Sequence, residues 1–297
     1  MTPLTVIPDI HADPDRLYRG LAAAGDGRVA LLGDLIDAGH SVAKPDDREV
    51  LRIVRRRIED GRAVAIMGNH ELNAILFHRT AGSGENEKPL RSREPKNAKQ
   101  HESFCDAFGV ATRDALDWTS WFLELPLWLE MDGLRLVHAC WNRSAIKTVG
   151  ERRPDGRLKE EDLEEVAAKT TEFARAVNLL LTGPELALPP GISFHDKGGH
   201  KRHHARIAWW RSHARTWRRA SLSIPKPDEL PDEDIESFGD LDFYRDDEPP
   251  VLVGHYKMLG APCIESPKAA CLDYPDAPCV YHWSGGGYLE ADDLEIV

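Results

Sequence analysis

Arg28-Val29-Ala30-Leu31-Leu32-Gly33-Asp34-Leu35-Ile36-Asp37 decides how the rest of the chain is read. Arg28 to Leu32 is an apolar run with strand character, and it closes on a glycine followed by two carboxylates. That is how a strand delivers ligands into a loop at one edge of a sheet. The same pattern stands on both sides. Upstream, Thr5 to Ile7 runs into Pro8-Asp9-Ile10-His11, and downstream Ala63 to Met67 runs into Gly68-Asn69-His70-Glu71. Much later, Leu134 to Val137 ends at His138 and Val251 to Val253 ends at Gly254-His255. Carboxylate, imidazole and amide oxygens converging from several strand ends suit hard or borderline divalent cations.

Helices fill the gaps between the early strands. Asp13-Pro14 reads as an N-cap with proline at the first helical position, opening a helix through Ala24 that Gly25 stops. Asp46 to Asp60 is a second helix, with Val50, Leu51, Val54 and Ile58 on one face and Gly61 as its stop. Strand and helix alternating in this way predict an α/β layer with right-handed crossovers.

The 297 residues are 41% hydrophobic and 30% charged, a globular balance, and no apolar run approaches the ~18 to 20 residues of a membrane helix. A soluble protein is therefore expected. Met1-Thr2-Pro3-Leu4 carries no basic n-region, so a cytoplasmic location is expected. The five cysteines are scattered and odd in number, which favours reduced thiols. Cys263, Cys271 and Cys279 match none of the usual zinc spacings. A net charge of -12 argues against nucleic-acid binding by the whole surface but leaves room for a local basic patch. Nothing in the chain fixes an oligomeric state.

Beyond residue 77 the pattern loosens. Residues 81 to 101 are rich in Gly, Glu, Lys, Arg and Pro; Arg91 to His101 could wall a substrate cleft, but the favoured reading is a solvated loop. Trp118 to Glu124 resumes a helix. Between about 150 and 250 come a charged helix near Lys159 to Leu181, a basic stretch from His195 to Arg219 and an acidic, Pro-rich stretch from Pro225 to Pro250. This is expected to be an insertion, mostly helical and irregular, within a single domain spanning 1–297. Cys271-Leu272-Asp273 and Val280-Tyr281 read as closing strands.

Singly, Asp9 or Asp34 reads as a turn residue and His138 as a satisfied core histidine. In series, D-x-H at Asp9, G-D-x-x-D at Gly33, G-N-H-E at Gly68, His138 after its strand and Gly254-His255 resemble the calcineurin-like metallophosphoesterases. The likeness is to the phosphoprotein phosphatase branch, which includes bacterial diadenosine tetraphosphatases. It covers residues 5–77, 134–140 and 251–273.

The resemblance implies a four-layer αββα sandwich and a phosphatase with two divalent metal ions, Mn²⁺ foremost, with Fe or Zn²⁺ also suited. Asp9 and His11 would bind the first metal, Asp34 would bridge, and Asn69, His138 and His255 would complete the second. Two cations held roughly 3.5 to 4 Å apart acidify a shared water into the nucleophile and neutralise phosphoryl oxygens during in-line displacement. His70 would give its proton to the leaving oxygen, held by Asp37. Glu71 is read as a helix cap.

The chain departs from that branch at Ala38, where an arginine that grips phosphate is usual, and at Pro8 and Ala12, where glycine is usual. Loss of a bidentate clamp argues against an ordinary protein Ser/Thr phosphatase. Arg206, with Arg202, is expected to replace it; the competing reading pairs this basic face with the acidic stretch from Asp228 to Glu248. The substrate is expected to be a phosphomonoester, or alternatively a nucleotide phosphoanhydride. A third reading is a nucleic-acid-binding or end-processing protein that uses the Trp-containing 195–219 stretch.

Overall fold

The computed structural model describes residues 4–38 and 42–297; the first three residues, read above for a targeting signal, lie outside the described residues, as do 39–41. Strands and helices alternate at the start: β1 (Leu4–Ile7), α1 (Pro14–Ala24), β2 (Arg28–Leu31), α2 (Asp47–Glu59), β3 (Ala63–Ala65) and α3 (Asn69–His78). The caps form as the sequence predicts. Asp13 accepts the Arg16 N–H with Pro14 in the first turn, and Gly25 closes α1 at φ 55°. Asp46 accepts the Glu49 N–H at 2.8 Å, and α2 buries Val50, Leu51 and Val54.

After α3 the chain forms a small hairpin of β4 (Thr80–Ala81) and β5 (Lys88–Pro89), then α4 (Pro95–Gln100), α5 (Glu102–Phe108) and α6 (Arg113–Phe122). A second hairpin follows, β6 (Trp128–Met131) and β7 (Leu134–Val137), and then helices α7 (Arg143–Arg152), α8 (Leu163–Ala168) and α9 (Glu172–Thr182). The single charged helix expected near 159–181 is broken in two. Lys169 turns left-handed at φ 55° and Thr171 caps a new helix by accepting the Ala174 N–H. The chain continues through β8 (Glu185–Ala187), β9 (Phe194–His195), β10 (Lys201–Arg202), β11 (His204–Ile207), α10 (Trp217–Ala220) and β12 (Ser221–Leu222). It ends in β13 (Val251–Val253), β14 (Ala269–Cys271), β15 (Cys279–Trp283) and β16 (Leu294–Ile296).

Two sheets carry the fold. One has the order β16-β15-β1-β2-β3 with β1, β2 and β3 parallel; the other has the order β14-β13-β7-β6 with β13 parallel to both β14 and β7. Both are buried in one continuous apolar core with the early helices and with α7 to α9, giving the expected α/β sandwich. The loops after β1, β2, β3, β7 and β13 all leave the carboxyl ends of their strands, where α/β sheets place ligands.

The region from 150 to 250 divides in the structure. Leu163, Val166, Phe173, Val177 and Leu180 of α8 and α9 belong to the main core. Phe194, Ile207, Trp217, Ile224 and Leu230 form a separate, smaller core around the sheet β12-β11-β8. The separately packed part is thus built on short antiparallel strands rather than on helices. Among the described residues, no helix is long and apolar enough to cross a membrane. All five thiols are free.

Candidate metal centre

The five motif loops meet at one point. The His255 N–H donates to Asp9 Oδ1 and Oδ2, both at 3.1 Å, so the first and last motifs are tied directly. A Cβ on Gly254 would overlap Asp9 Oδ1, and one on Gly68 would overlap the Asp34 backbone N and Oδ1, so these glycines allow the loops to close. His11, Ala12, Asp34, Asp37 and His255 all sit at positive φ, between 50° and 73°. Non-glycine residues rarely adopt that region, and such backbone strain concentrates at functional sites. Ala12, at φ 54°, occupies a position where glycine would be unstrained.

Glu71 acts as the cap that was read from sequence. Its two oxygens accept the N–H groups of Asp34, Leu35 and Gly68, each at 2.8 Å, and so fasten the G-D-x-x-D loop to the start of α3. Burial and the neighbouring Asp34 push its carboxyl up to about 7.

His11, Asp34 and His70 form one group of converging ligand atoms, and Asp34, His138 and His255 form another, so Asp34 stands in both. His138 Nδ1 donates to Leu32 O at 2.7 Å, which turns its Nε2 toward Asn69 Oδ1 at 3.0 Å and Asp34 Oδ1 at 3.4 Å. His255 Nδ1 faces the same Asn69 oxygen at 2.6 Å. Two imidazoles thus converge on one amide oxygen. Nε2 of His11 and Nε2 of His255 are buried with no hydrogen-bond partner. Buried polar atoms left unpaired cost free energy unless something else meets them.

The charges argue the same way. Burial lowers His138, yet Asp34 and Asp9 more than reverse this and hold it up at about 10. Burial, with Asp273 beside it, pushes Asp9 well above the usual carboxylate range. Against the effect of burial, His138 and His70 pull Asp34 well below that range. This cluster of carboxylates and imidazoles fits divalent cations, which would keep the carboxylates ionised and the ligating imidazoles neutral.

Beside the cluster, His70 Nδ1 donates to Asp37 Oδ2 at 2.8 Å, while its Nε2 stands 3.7 Å from Asp34 Oδ2. Burial disfavours charge on His70, but Asp34 and Asp37 outweigh it and raise the imidazole to about 8. The segment favoured as a solvated loop takes part here, and that expectation is corrected. Arg91 Nη2 donates to Gln100 Oε1 at 2.7 Å, which turns the Gln100 amide nitrogen toward His70 Nε2 at 3.4 Å. His101, fully buried, contacts Asp37 Oδ1. Packing across helices α3 to α5 makes this arrangement; no spacing in the sequence marks it.

The sequence pattern of the calcineurin-like phosphoesterases matches residues 2–179. The chain belongs to that family. No curated protein matches it. Among solved structures, a point mutant of a cold-active protein tyrosine phosphatase is 12% identical with a TM-score of 0.51, covering 100% of this chain and 80% of that one. A protein described as a diadenosine tetraphosphatase is 15% identical with a TM-score of 0.47, covering 100% and 93%. A protein serine/threonine phosphatase from Saccharomyces cerevisiae is 14% identical with a TM-score of 0.47, covering 100% and 79%. At 12% identity, the likeness to the first of these shows the fold alone. The chain is a phosphoesterase, and so a hydrolase.

In this phosphoesterase Asp34, Asn69, His70 and His255 form the floor of a cleft of about 720 Å³, walled by the smaller core of residues 185–223 and by Lys257. Arg206 and Arg202 both line it. Arg206 lies near enough to His255 to lower it, after burial itself, and rests 3.7 Å from Glu185. Arg202 is held by Asp196 at 2.6 Å. The competing pairing with the acidic stretch holds for Arg218, 3.6 Å from Asp228, but Asp242 and Glu248 pair instead with Arg143. Lys257, two residues past His255, was not singled out from sequence; it lies close enough to lower both His11 and His70. Trp209, Trp210 and Trp217, which a base-stacking surface would need, are buried.

Proposed function

We propose that this phosphoesterase is a metal-dependent phosphatase that hydrolyses a phosphomonoester in the cleft above Asp34. The observation that carries this reading is the pair of buried, unpartnered Nε2 atoms of His11 and His255, in a cluster that also holds Asp9, Asp34, Asn69 and His138. Those six residues would hold two divalent cations, which when bound supply positive charge to phosphoryl oxygens and acidify a water.

The chain's own groups do the rest. Asp37 holds His70 by Nδ1, so that Nε2 faces the cleft and can pass a proton to the leaving oxygen. Once that proton has left, Nε2 can accept the Gln100 amide N–H, whose orientation Arg91 sets. Arg206 and Lys257 would balance the non-reacting phosphate charge that the arginine missing at Ala38 would otherwise meet. The 185–223 wall would shape substrate choice within one domain. A nucleotide phosphoanhydride is the second reading, favoured by the cations Lys197, Lys201 and Arg202 that continue along the cleft.

Phosphate release by metal-stripped protein, with and without Mn²⁺, tests both readings on one panel: an aryl phosphate, a phosphopeptide, nucleoside mono- and triphosphates and a dinucleoside tetraphosphate. Turnover should require metal and fall by more than about 10³-fold in Asp34→Asn. Metal-independent turnover, or an active Asp34→Asn, overturns the mechanism. The best substrate decides between monoester and anhydride.

A further inference from the structure

Behind Asp37 the hydrogen bonding continues inward. His101 Nδ1 lies 2.6 Å from Asp37 Oδ1, His101 Nε2 lies 2.9 Å from His78 Nε2, and His78 Nδ1 lies 2.9 Å from the backbone N of Ala111. The far end sets the direction of the row. An amide N–H can only donate, so His78 Nδ1 accepts and the His78 proton sits on Nε2. That N–H donates to His101 Nε2, which places the His101 proton on Nδ1, facing Asp37. A carboxylate only accepts, so the row ends with Asp37 receiving one N–H from His101 and the other from His70.

Two further observations mark the row as built. Ala111 holds φ 50°, an uncommon conformation for a residue with a Cβ, and this aims its N–H at His78. His101 stacks on Phe104, with ring centroids 4.8 Å apart at 17°, and meets Phe77 edge-on. Burial and the adjacent His101 lower His78 to about 3, so it stays neutral.

We propose that His101 and His78 are positioning residues for His70, fixing Asp37 as a double acceptor and thereby holding the Nδ1–H of His70, so that Nε2, the nitrogen that carries the second, transferable proton, is aimed into the cleft. The inference rests on the reading of His70 as proton donor. Without His101, a buried oxygen of Asp37 loses its donor and the carboxylate is free to turn away from His70. The rival assignment is a further metal site of His78, His101 and Cys105, whose ligand atoms lie within 4.8 Å of one another. The 2.9 Å between the two Nε2 atoms favours the hydrogen bond, since two nitrogens on one tetrahedral zinc stand roughly 3.3 Å apart.

The first test is spectroscopic and independent of turnover. Histidine-¹⁵N spectra of the zinc-loaded protein, assigned with single variants, should show the proton on Nε2 of His78 and on Nδ1 of His101. A His101 protonated on Nε2 overturns the proposal. So does an additional equivalent of bound zinc that is lost in Cys105→Ser.

The second test compares leaving groups. In His101→Leu, kcat on phenyl phosphate, whose leaving oxygen needs a proton, should fall by about 30- to 100-fold. On 2,4-dinitrophenyl phosphate it should fall by less than about 3-fold, with bound metal unchanged. His101→Asn, which can still donate to Asp37, should recover about 10-fold of the loss on phenyl phosphate, and His78→Phe should lie between. Should His101→Leu fail to fold, His101→Asn and His78→Phe carry the comparison. Equal losses on both substrates would mean a merely structural role and overturn the proposal. Absence of turnover by the unaltered protein would sink the phosphatase reading, while the spectra still decide the row.

Discussion

The floor of the cleft and its wall differ in how they are built. The floor is drawn from strand ends scattered from Asp9 to His255, yet nearly all its polar groups are buried and crowded against one another. The wall from Glu185 to Ser223 comes from one stretch of chain, rests on its own small core, and carries partly exposed cations, of which Arg206 and Arg202 stand beside Glu185 and Asp196. Over-determined groups tolerate no substitution, whereas exposed ion pairs contribute little to stability and can be changed freely. The difference teaches that, on the proposed reading, chemistry and selectivity would be physically separable in this molecule.

Gly254→Ala should break the floor most severely. The new Cβ must displace Asp9, at a cost of more than about 3 kcal/mol, and activity should drop by more than about 100-fold with loss of bound metal. Gly260→Ala makes the contrast: nothing lies within 4 Å of its Cβ, so only its φ of 82° is penalised, by about 1 kcal/mol. Thermal unfolding and metal analysis of both proteins check the ranking; equal effects would show that crowding against Asp9 is not what Gly254 relieves.

Arg206→Ala should be the strongest wall variant. It should lower kcat/KM by about 10- to 100-fold while bound metal and melting temperature stay unchanged. Steady-state kinetics with metal analysis check this, and unchanged kinetics would remove Arg206 from the phosphate site.

The smallest effect concerns Asp47, which supports the floor from behind by accepting the Asp37 N–H at 3.0 Å. Burial, and then the nearby Asp37 charge, raise its carboxyl to about 6. Because the folded value is raised, its protonated form favours the fold below about pH 4, and that contribution is lost as pH rises through 6. Asp47→Asn should therefore raise stability at pH 8 by about 1 to 3 kcal/mol and change little at pH 4. Melting curves at the two pH values check the sign.

The sequence exposed the floor because each ligand follows directly from a short strand and a tight loop, a local pattern that residue order preserves. The helix caps at Asp13 and Asp46 were legible for the same reason. His101 was not: its role depends on α5 placing it against Asp37 and on α3 placing His78 behind it, contacts that no spacing records. Lys257 carries no signal for a similar reason, since a single cation near a motif means nothing until the fold shows what it faces, and Gln100 was legible only as one member of the 91–101 loop that could wall a cleft. The strands of the wall escaped because β9, β10 and β12 are two residues long, too short for alternation to register.

The bond from the His255 N–H to Asp9 spans 246 positions of sequence. A chain emerging from the ribosome therefore exposes its first carboxylate long before the loop that holds it in place exists. Translation arrested anywhere before residue 255 would leave β1 and β2 free to pair but the cradle open. On the proposed reading, cation loading would accordingly be a late event, and a nascent chain tethered at that length would report it as the step at which metal is first retained.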